Sequence, residues 1–278
     1  MPGEAPTAST LAGRLRPLSG LEEELVHADR EGNAVALCNE LLARCLARPG
    51  RDPGRARAEV DALLVSERDL ALVALRQRSL GSELAMELTC PACGADHDLV
   101  IDLTRLGAPP PAPREIEVVH GDHRVRVRLP TARDPAVAAA AGALDAGRAT
   151  LLAATLLELD GRPGPFTVAD AAAIDPELRE AIDAAVEDAL PDVDLALVTT
   201  CSTCDAGIEA PVYLAEVILA ELRERGRQLL REVHLLARTY HWSERQILSL
   251  SVARRRAYLT LIEADHDAAL VLAGAGDA

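Results

Sequence analysis

The stretch Leu88-Thr89-Cys90-Pro91-Ala92-Cys93-Gly94 places two thiols three positions apart on a tight turn, and Cys201-Ser202-Thr203-Cys204 repeats the arrangement. Alternating apolar residues flank each pair, so each unit is predicted to be a strand, a turn and a second strand. Two such turns that face each other place four thiolates at about 2.3 Å from a tetrahedral Zn²⁺. The pattern therefore predicts a structural zinc site, whose ligands are Cys90, Cys93, Cys201 and Cys204.

The two cysteine pairs are far apart in the sequence. There are 107 residues between Cys93 and Cys201, whereas a compact zinc ribbon has about 15–20 residues between its pairs. We interpret the intervening residues as a β-hairpin and helices inserted between the halves of a split ribbon. Zinc in such a site binds with an apparent free energy on the order of 10 kcal/mol, which ties distant segments together.

Other chemistries use similar cysteine pairs. A thiol-disulfide oxidoreductase needs a helix after its motif to lower the pKa of the first thiol, whereas Gly94 and an alternating strand follow here. An iron–sulfur cluster also uses four thiolates, and two unliganded thiol pairs are a further alternative. His97 is a candidate fifth ligand, although a solvated strand histidine is the simpler interpretation. Cys38 and Cys45 lie seven apart on a helical pattern and are predicted to be small core residues.

The rest of the sequence predicts an α+β fold, mostly helical, with a split four-cysteine zinc-ribbon-like β module and a β-hairpin. Its proposed regions are a flexible arm (1–17), an N-terminal helical region (18–83), the first zinc knuckle with the hairpin (84–129), a helical insert (130–191), the second zinc knuckle (192–213), and a C-terminal helical region with a tail (214–278). The prolines and glycines of 49–54 are predicted to end the first helices, and Pro109–Pro113 to form a stiff linker.

Local signals predict several element boundaries. A helix or helix pair, broken near Gly32-Asn33, is expected over 18–47. Helices are further expected from a Ser66 cap to Gly81, over 135–158 after Asp134-Pro135, over 177–190 after Asp175-Pro176, over 214–240, and over 254–264. A hairpin is expected to turn at Gly121-Asp122, and Ser243 with Gln246 has the spacing of a capping box.

Composition and charge limit the possible partners. Aromatic residues make up only 2% of the 278 residues and the formal net charge is −15, so nucleic acid is not an expected partner. No apolar run approaches the length of a membrane span, and the first residues do not resemble a signal peptide, so we expect a location in the cytoplasm of the producing cell. Arg254-Arg255-Arg256 is the one basic concentration. It has three possible interpretations: a surface that docks an acidic protein, a nucleic-acid-binding patch, or a solvated helix face.

Signatures of catalysis are lacking in the sequence. It contains no phosphate-cradling glycine loop, nucleophile elbow or His-Glu-x-x-His pattern. We therefore expect neither an enzyme nor a small-molecule substrate.

Several segments, in order, are similar to those of the T4-type phage baseplate hub and hub-assembly proteins and their relatives in contractile tail and extracellular injection-system loci. They are Ser66–Leu70 through Gly81, Leu88–Gly94, Val125–Pro130 with Asp134, the pair Cys201 and Cys204, Arg231–Ala237, Tyr240, Trp242–Glu244, Ile247-Leu248 and Arg254–Tyr258. The resemblance spans roughly residues 60–262. It implies a non-enzymatic structural or assembly factor whose partners are other baseplate or tail proteins, with incorporation into a tail-like particle. The alternatives are a zinc-ribbon nucleic-acid-binding protein and a Cys-x-x-Cys thiol oxidoreductase.

Overall fold

Helices form most of the structure and enclose three small antiparallel sheets. The computed structural model describes residues 7–29, 33–47, 52–106, 111–191, 193 and 195–274. The helices are α1 (Ala8–Ala12), α2 (Gly20–Ala28), α3 (Ala34–Leu46), α4 (Pro53–Asp61), α5 (Val65–Leu80), α6 (Arg133–Ala139), α7 (Leu144–Thr155), α8 (Val168–Ala172), α9 (Pro176–Ala189), α10 (Leu214–Tyr240), α11 (Glu244–Leu248) and α12 (Val252–Gly274). The strands are β1 (Glu83–Thr89), β2 (Asp96–Asp102), β3 (Glu115–His120), β4 (His123–Arg128), β5 (Leu156–Leu159), β6 (Arg162–Pro163), β7 (Leu195–Thr200) and β8 (Gly207–Val212). The predicted α+β class is confirmed.

The largest apolar core joins α1–α5 to β1 and to the first half of α10. The structure differs from the predicted flexible arm over residues 7–17, because Thr7 and Thr10 form a capping box for α1 and Leu11 and Leu15 are buried in this core. Cys38 and Cys45 are also buried there, which confirms their prediction as small core residues.

The helix boundaries in the N-terminal half follow caps that the sequence only partly revealed. The predicted helix pair over 18–47 is confirmed as α2 and α3, and the Asn33 side chain accepts hydrogen bonds from the first amides of α3. The predicted Ser66 cap is wrong: Ser66 lies inside α5, and the carboxylate of Glu67 accepts from the Leu64 amide at 2.8 Å. Gly81 ends α5 with φ of +93°, a backbone conformation that favours glycine.

Helix α4 was missed because two prolines and two glycines were interpreted only as a break. Pro53 occupies the first turn, where its missing N–H is harmless, and the Asp52 carboxylate accepts from the Gly54 amide at 2.9 Å. The described residues do not include 49–51 of the predicted break, Gly32, part of Pro109–Pro113 or the end of the tail.

The hairpin forms as predicted and becomes part of a four-stranded sheet, in the order β3-β4-β5-β6. The single helix predicted over 135–158 is wrong, since α6 and α7 are separated at Gly142, φ +78°, and β5 follows. Asp134 is not a helix cap: its carboxylate accepts from the Arg128 guanidinium at 2.7 Å and from the Thr131 amide at 2.7 Å. Asp175 does cap α9, through the Glu177 amide.

The C-terminal helices agree closely with the sequence prediction. Helix α10 has the predicted bounds, and Ser243 and Gln246 form the predicted capping box of α11. Helix α12 starts earlier and extends further than the predicted 254–264. Within the described part of the chain, no helix combines the length and apolarity that crossing a membrane requires.

Candidate metal centre

Each cysteine pair lies on a tight turn that closes a two-stranded hairpin. In the first, β1 pairs with β2 up to Thr89 and Asp96. The Cys90 amide donates to the Ala95 carbonyl at 2.8 Å, and the Gly94 amide donates to the Cys90 carbonyl at 2.9 Å. Gly94 has a φ of +75°, so the left-handed residue of this turn is a glycine.

The second turn has the same backbone conformation despite its different sequence. The Cys201 amide donates to the Ala206 carbonyl at 2.9 Å, and the Asp205 amide donates to the Cys201 carbonyl at 3.0 Å. Asp205 adopts a φ of +57° at the position that corresponds to Gly94. Aspartate tolerates the left-handed region better than most residues, so the turn forms without proline or glycine.

The two turns face each other and bring the four sulfurs together. The Sγ atoms of Cys90 and Cys204 are 3.8 Å apart, and those of Cys93 and Cys201 are 3.6 Å apart. All four sulfurs lie within 4.8 Å of one another. Both of these distances join a cysteine of the first hairpin to a cysteine of the second hairpin. The sulfur cluster is therefore built from the two hairpins together.

The sulfur positions fit one tetrahedral ion. Four ligands at about 2.3 Å from a central ion define a tetrahedron with edges of about 3.8 Å. The sulfur–sulfur distances of 3.8 and 3.6 Å match that edge, and they are far longer than the roughly 2.05 Å of a disulfide bond. The four cysteines could therefore hold a metal ion.

Burial differs within each pair in the same way. Cys90 and Cys201 are buried, whereas Cys93 and Cys204 are exposed. The buried thiols pack against Ile208 in a small apolar cluster. The site is thus covered on the side of the strands, where Cys90 and Cys201 lie, and open to solvent on the side of Cys93 and Cys204.

His97 contacts the cluster from β2 but does not belong to its ligand set. Its Nε2 atom is 3.2 Å from the Cys201 sulfur, and its Nδ1 atom is 3.4 Å from the Ser202 hydroxyl. The ring lies on β2 and is half-buried, so the interpretation as a solvated strand histidine holds only in part. In this position an Nε2–H group can donate to a Cys201 thiolate.

Hydrogen bonding prepares Cys201 to be a thiolate. Its burial opposes ionisation, but the backbone amides of Thr203 and Cys204, together with the neighbouring thiol and His97, lower the pKa of Cys201 to about 5. Around Cys93, the backbone hydrogen bond at Ala95 favours the thiolate, but hydrogen bonds with the other three sulfurs outweigh it and raise the pKa of Cys93 to about 12. Of the thiols with shifted pKa values, Cys201 is therefore the one whose thiolate is favoured.

A buried arginine attaches the first hairpin to the helices. Arg76 of α5 forms an ion pair with Glu221 of α10 at 2.9 Å and donates to the Glu83 carbonyl at the start of β1 at 2.7 Å. Its side chain is only 3% exposed. These contacts fix the direction in which the β1–β2 hairpin extends from the helical core.

The sequence names His97 only as a candidate fifth ligand, whereas the structure places its ring against the Cys201 sulfur as a hydrogen-bond partner. When the two cysteine units are superposed with an offset of 111 residues, His97 coincides with Ile208. A polar residue in place of a buried apolar one is the sequence signal for this contact.

Sequence reasoning also missed that one residue of the basic run is buried. Arg255 is 1% exposed and forms ion pairs with Glu23 and with Glu232, the latter at 2.9 Å. Arg225 joins the same network through Glu23 at 2.8 Å. None of the three interpretations of Arg254–Arg256 therefore applies to Arg255, which connects α2, α10 and α12.

Comparison with known proteins gives one family match. The family model described as T4 bacteriophage base plate protein matches residues 10–154, just over half of the chain. The match includes Cys90 and Cys93, whereas Cys201 and Cys204 lie beyond it. No curated protein and no solved structure matches the chain significantly.

Proposed function

The chain belongs to the T4 bacteriophage base plate protein family, and from this premise we propose that it is a non-enzymatic structural or assembly component of the baseplate of a contractile phage tail or contractile injection system. The family match over residues 10–154 carries this proposal. Other baseplate or tail proteins are the partners that it implies, with incorporation into a tail particle.

The metal in the proposal is one structural zinc ion held by Cys90, Cys93, Cys201 and Cys204. The support is the agreement between the sulfur–sulfur distances and the edge of a zinc–thiolate tetrahedron. A cluster of several iron atoms would hold its cysteine sulfurs further apart than 4.8 Å. A single iron ion with four thiolates is distinguished from zinc by elemental analysis and by its visible absorption.

The zinc ion in this proposal has a mechanical role. It joins the β1–β2 hairpin to the β7–β8 hairpin, which lie on either side of the inserted sheet and helices α6–α9. The described strands of the two hairpins share no sheet, so the metal substitutes for strand pairing between them. A rigid junction of this kind keeps the insert and α10 in a fixed relation, as a scaffold requires.

The observed thiols support a metal-binding role over thiol-disulfide exchange. Both Cys-x-x-Cys turns lead into strands, so no helix N-terminus activates a thiol. Cys201, the thiol with the lowered pKa, is 1% exposed and is poorly placed to attack a protein disulfide.

Elemental analysis of the purified protein tests the zinc assignment. We expect about one zinc per chain, and a loss of bound zinc in Cys201→Ser. An exposed substitution on the first turn, Ala92→Ser, is the matched control and is expected to keep the metal. A content far below one zinc per chain, or one iron per chain, would contradict the assignment.

Co-expression with the other baseplate and tail proteins of the same locus tests the family-level proposal. We expect co-purification with at least one of them that withstands washing and is reproduced with the separately purified components. Failure to associate with any of them would count against a baseplate role. Insulin reduction that is lost in Cys90→Ser would support the oxidoreductase alternative instead.

A further inference from the structure

The net charge of residues 229–262, near the C-terminus, differs in sign from that of the rest of the chain. We define the tip as residues 229–262, which comprise the end of α10, α11 and the start of α12. The tip contains six arginines and two glutamates, a net charge of +4 in a chain of −15, so the remaining residues carry −19. An acidic surface is therefore attracted to the tip and repelled by the remainder.

The positive charge of the tip is not neutralised locally. Arg255 is buried in its ion pairs, but five tip arginines are exposed and have no carboxylate partner among the described residues: Arg231, Arg238, Arg245, Arg254 and Arg256. By contrast, most described arginines elsewhere, such as Arg44 and Arg57, form ion pairs. An unpaired group of this kind is available to a partner.

The tip also concentrates the few aromatic residues. Tyr240, Trp242 and Tyr258 are three of the five aromatic residues of the chain, and their ring centroids are 4.8–5.3 Å apart. All three are half-exposed, and the Arg254 guanidinium lies 5.1 Å from the Tyr258 ring centroid. Leu230, also within the tip, is 72% exposed. Aromatic residues with arginine are the combination that dominates binding energy at protein interfaces.

A complementary surface exists on α9. One face of this helix packs on the β3–β6 sheet through Leu178 and Ile182. The opposite face carries five exposed carboxylates that have no basic partner among the described residues: Glu177, Glu180, Asp183, Glu187 and Asp188. Glu180 and Glu187 are two turns apart, so the acidic face is continuous along the helix.

We propose that the tip of one copy of this chain docks on the acidic face of α9 of a second copy. The tip supplies arginines and an aromatic anchor, and α9 supplies carboxylates around Ala184. The two surfaces are different, so one contact leaves one tip and one α9 unpaired, and these can close reciprocally in a two-fold dimer or extend the assembly to a ring or a filament. This inference does not depend on the proposed function, because it uses only the charges and the aromatic residues of this chain.

Sedimentation of the purified, zinc-loaded chain over a range of concentrations tests the contact. At about 0.05 M salt we expect the mean mass to rise with concentration, and at about 0.5 M salt we expect a monomer, because exposed charges are then screened over a few ångströms. A chain that remains monomeric at low salt up to the highest soluble concentration overturns the proposal. Association that is insensitive to salt also overturns it.

Reciprocal charge reversals identify the two surfaces. The tip variant Arg238→Glu/Arg245→Glu and the helix variant Glu180→Arg/Glu187→Arg each place like charges opposite each other, so each alone is expected to associate about tenfold more weakly or worse. An equimolar mixture has opposite charges at every contact and is expected to regain association. Circular dichroism and zinc content establish that both variants fold.

Each remaining outcome counts against the contact. If the helix variant associates like the original chain, α9 is not the receptor. If the mixture stays monomeric, the two surfaces do not meet. If the tip binds single-stranded nucleic acid at about 0.15 M salt while the chain stays monomeric, the tip serves a different partner.

Discussion

The two cysteine hairpins differ in their buried core from the β3–β6 module, which comprises these strands and the helices α7–α9 that pack on them. The hairpin cluster contains only three buried residues, Cys90, Cys201 and Ile208. The module has its own apolar core of ten buried side chains, which includes Phe166 and the valines of β4. Burial of a large apolar side chain contributes about 1.5–3 kcal/mol, so the module can be stable through packing. The hairpins pack on the largest core through Leu84 and Val212, and we expect their cysteine ends to depend on the proposed metal ion.

Metal removal should separate the two regions most clearly. Cys201→Ser, or a strong chelator, is expected to remove a contribution on the order of 10 kcal/mol from the hairpins. Limited proteolysis should then cut within 83–102 and 195–212, whereas 115–189 should resist. Equal protection of both hairpins in the zinc-free protein would show that the sulfur cluster is not what joins them.

Truncation of the module's aromatic residue tests the other region. Phe166 is 7% exposed and packs within the apolar core, so Phe166→Ala is expected to cost about 3–5 kcal/mol. In a chain of this size, that loss lowers the unfolding temperature by on the order of 10 °C. Zinc content should remain that of the original protein, and parallel loss of zinc would mean that the two regions are not independent.

A smaller change should sharpen the difference between the two hairpins themselves. His97→Ile makes the first hairpin equivalent to the second at this position and removes the donor to the Cys201 sulfur. We expect one zinc per chain to be retained but transferred to a chelator about tenfold more readily, as is usual for lost contacts to ligands. His120→Gln, an exposed histidine on the β3–β4 hairpin, is the control and should not change the transfer.

The smallest expected effect concerns the left-handed residue of each turn. Ala at Gly94 is strained at a φ of +75°, so Gly94→Ala should lower stability by about 1 kcal/mol, whereas Asp205→Gly should leave it unchanged or raise it slightly. Thermal unfolding of the zinc-loaded variants measures the difference. Equal losses in both variants would show that the two turns do not share one backbone conformation.

The sequence predicts those parts of the molecule whose cause is local. The hairpin at Gly121-Asp122, helix α10 and the capping box at Ser243 depend on turn residues, periodicity and cap spacing, and all are confirmed. Prediction fails where one local signal has two possible outcomes. Asp134 next to Pro135 has the pattern of a cap, but the Arg128 guanidinium pairs with its carboxylate, and Pro53, which can end a helix, instead begins α4.

The candidate metal centre likewise has a part that local sequence predicts and a part that depends on the whole fold. Its four cysteines are visible in the spacing of each pair, although their convergence depends on the whole fold and was only a hypothesis until the sulfur positions were known. The local pattern draws attention to His97 and Arg255 but does not predict their contacts. Each is defined by a partner more than twenty positions away: Cys201 for His97, and Glu23 and Glu232 for Arg255.

The 111-residue offset between the cysteine pairs also has a consequence for biosynthesis. Cys90 and Cys93 leave the ribosome well before Cys201 and Cys204, and at 5–20 residues per second the delay is about 5–20 s. During that interval the nascent chain exposes half of a thiolate cluster, which can capture a cation only loosely or oxidise. If the cluster holds zinc as proposed, the cell's supply of free zinc and its reducing power influence how much of this protein matures correctly.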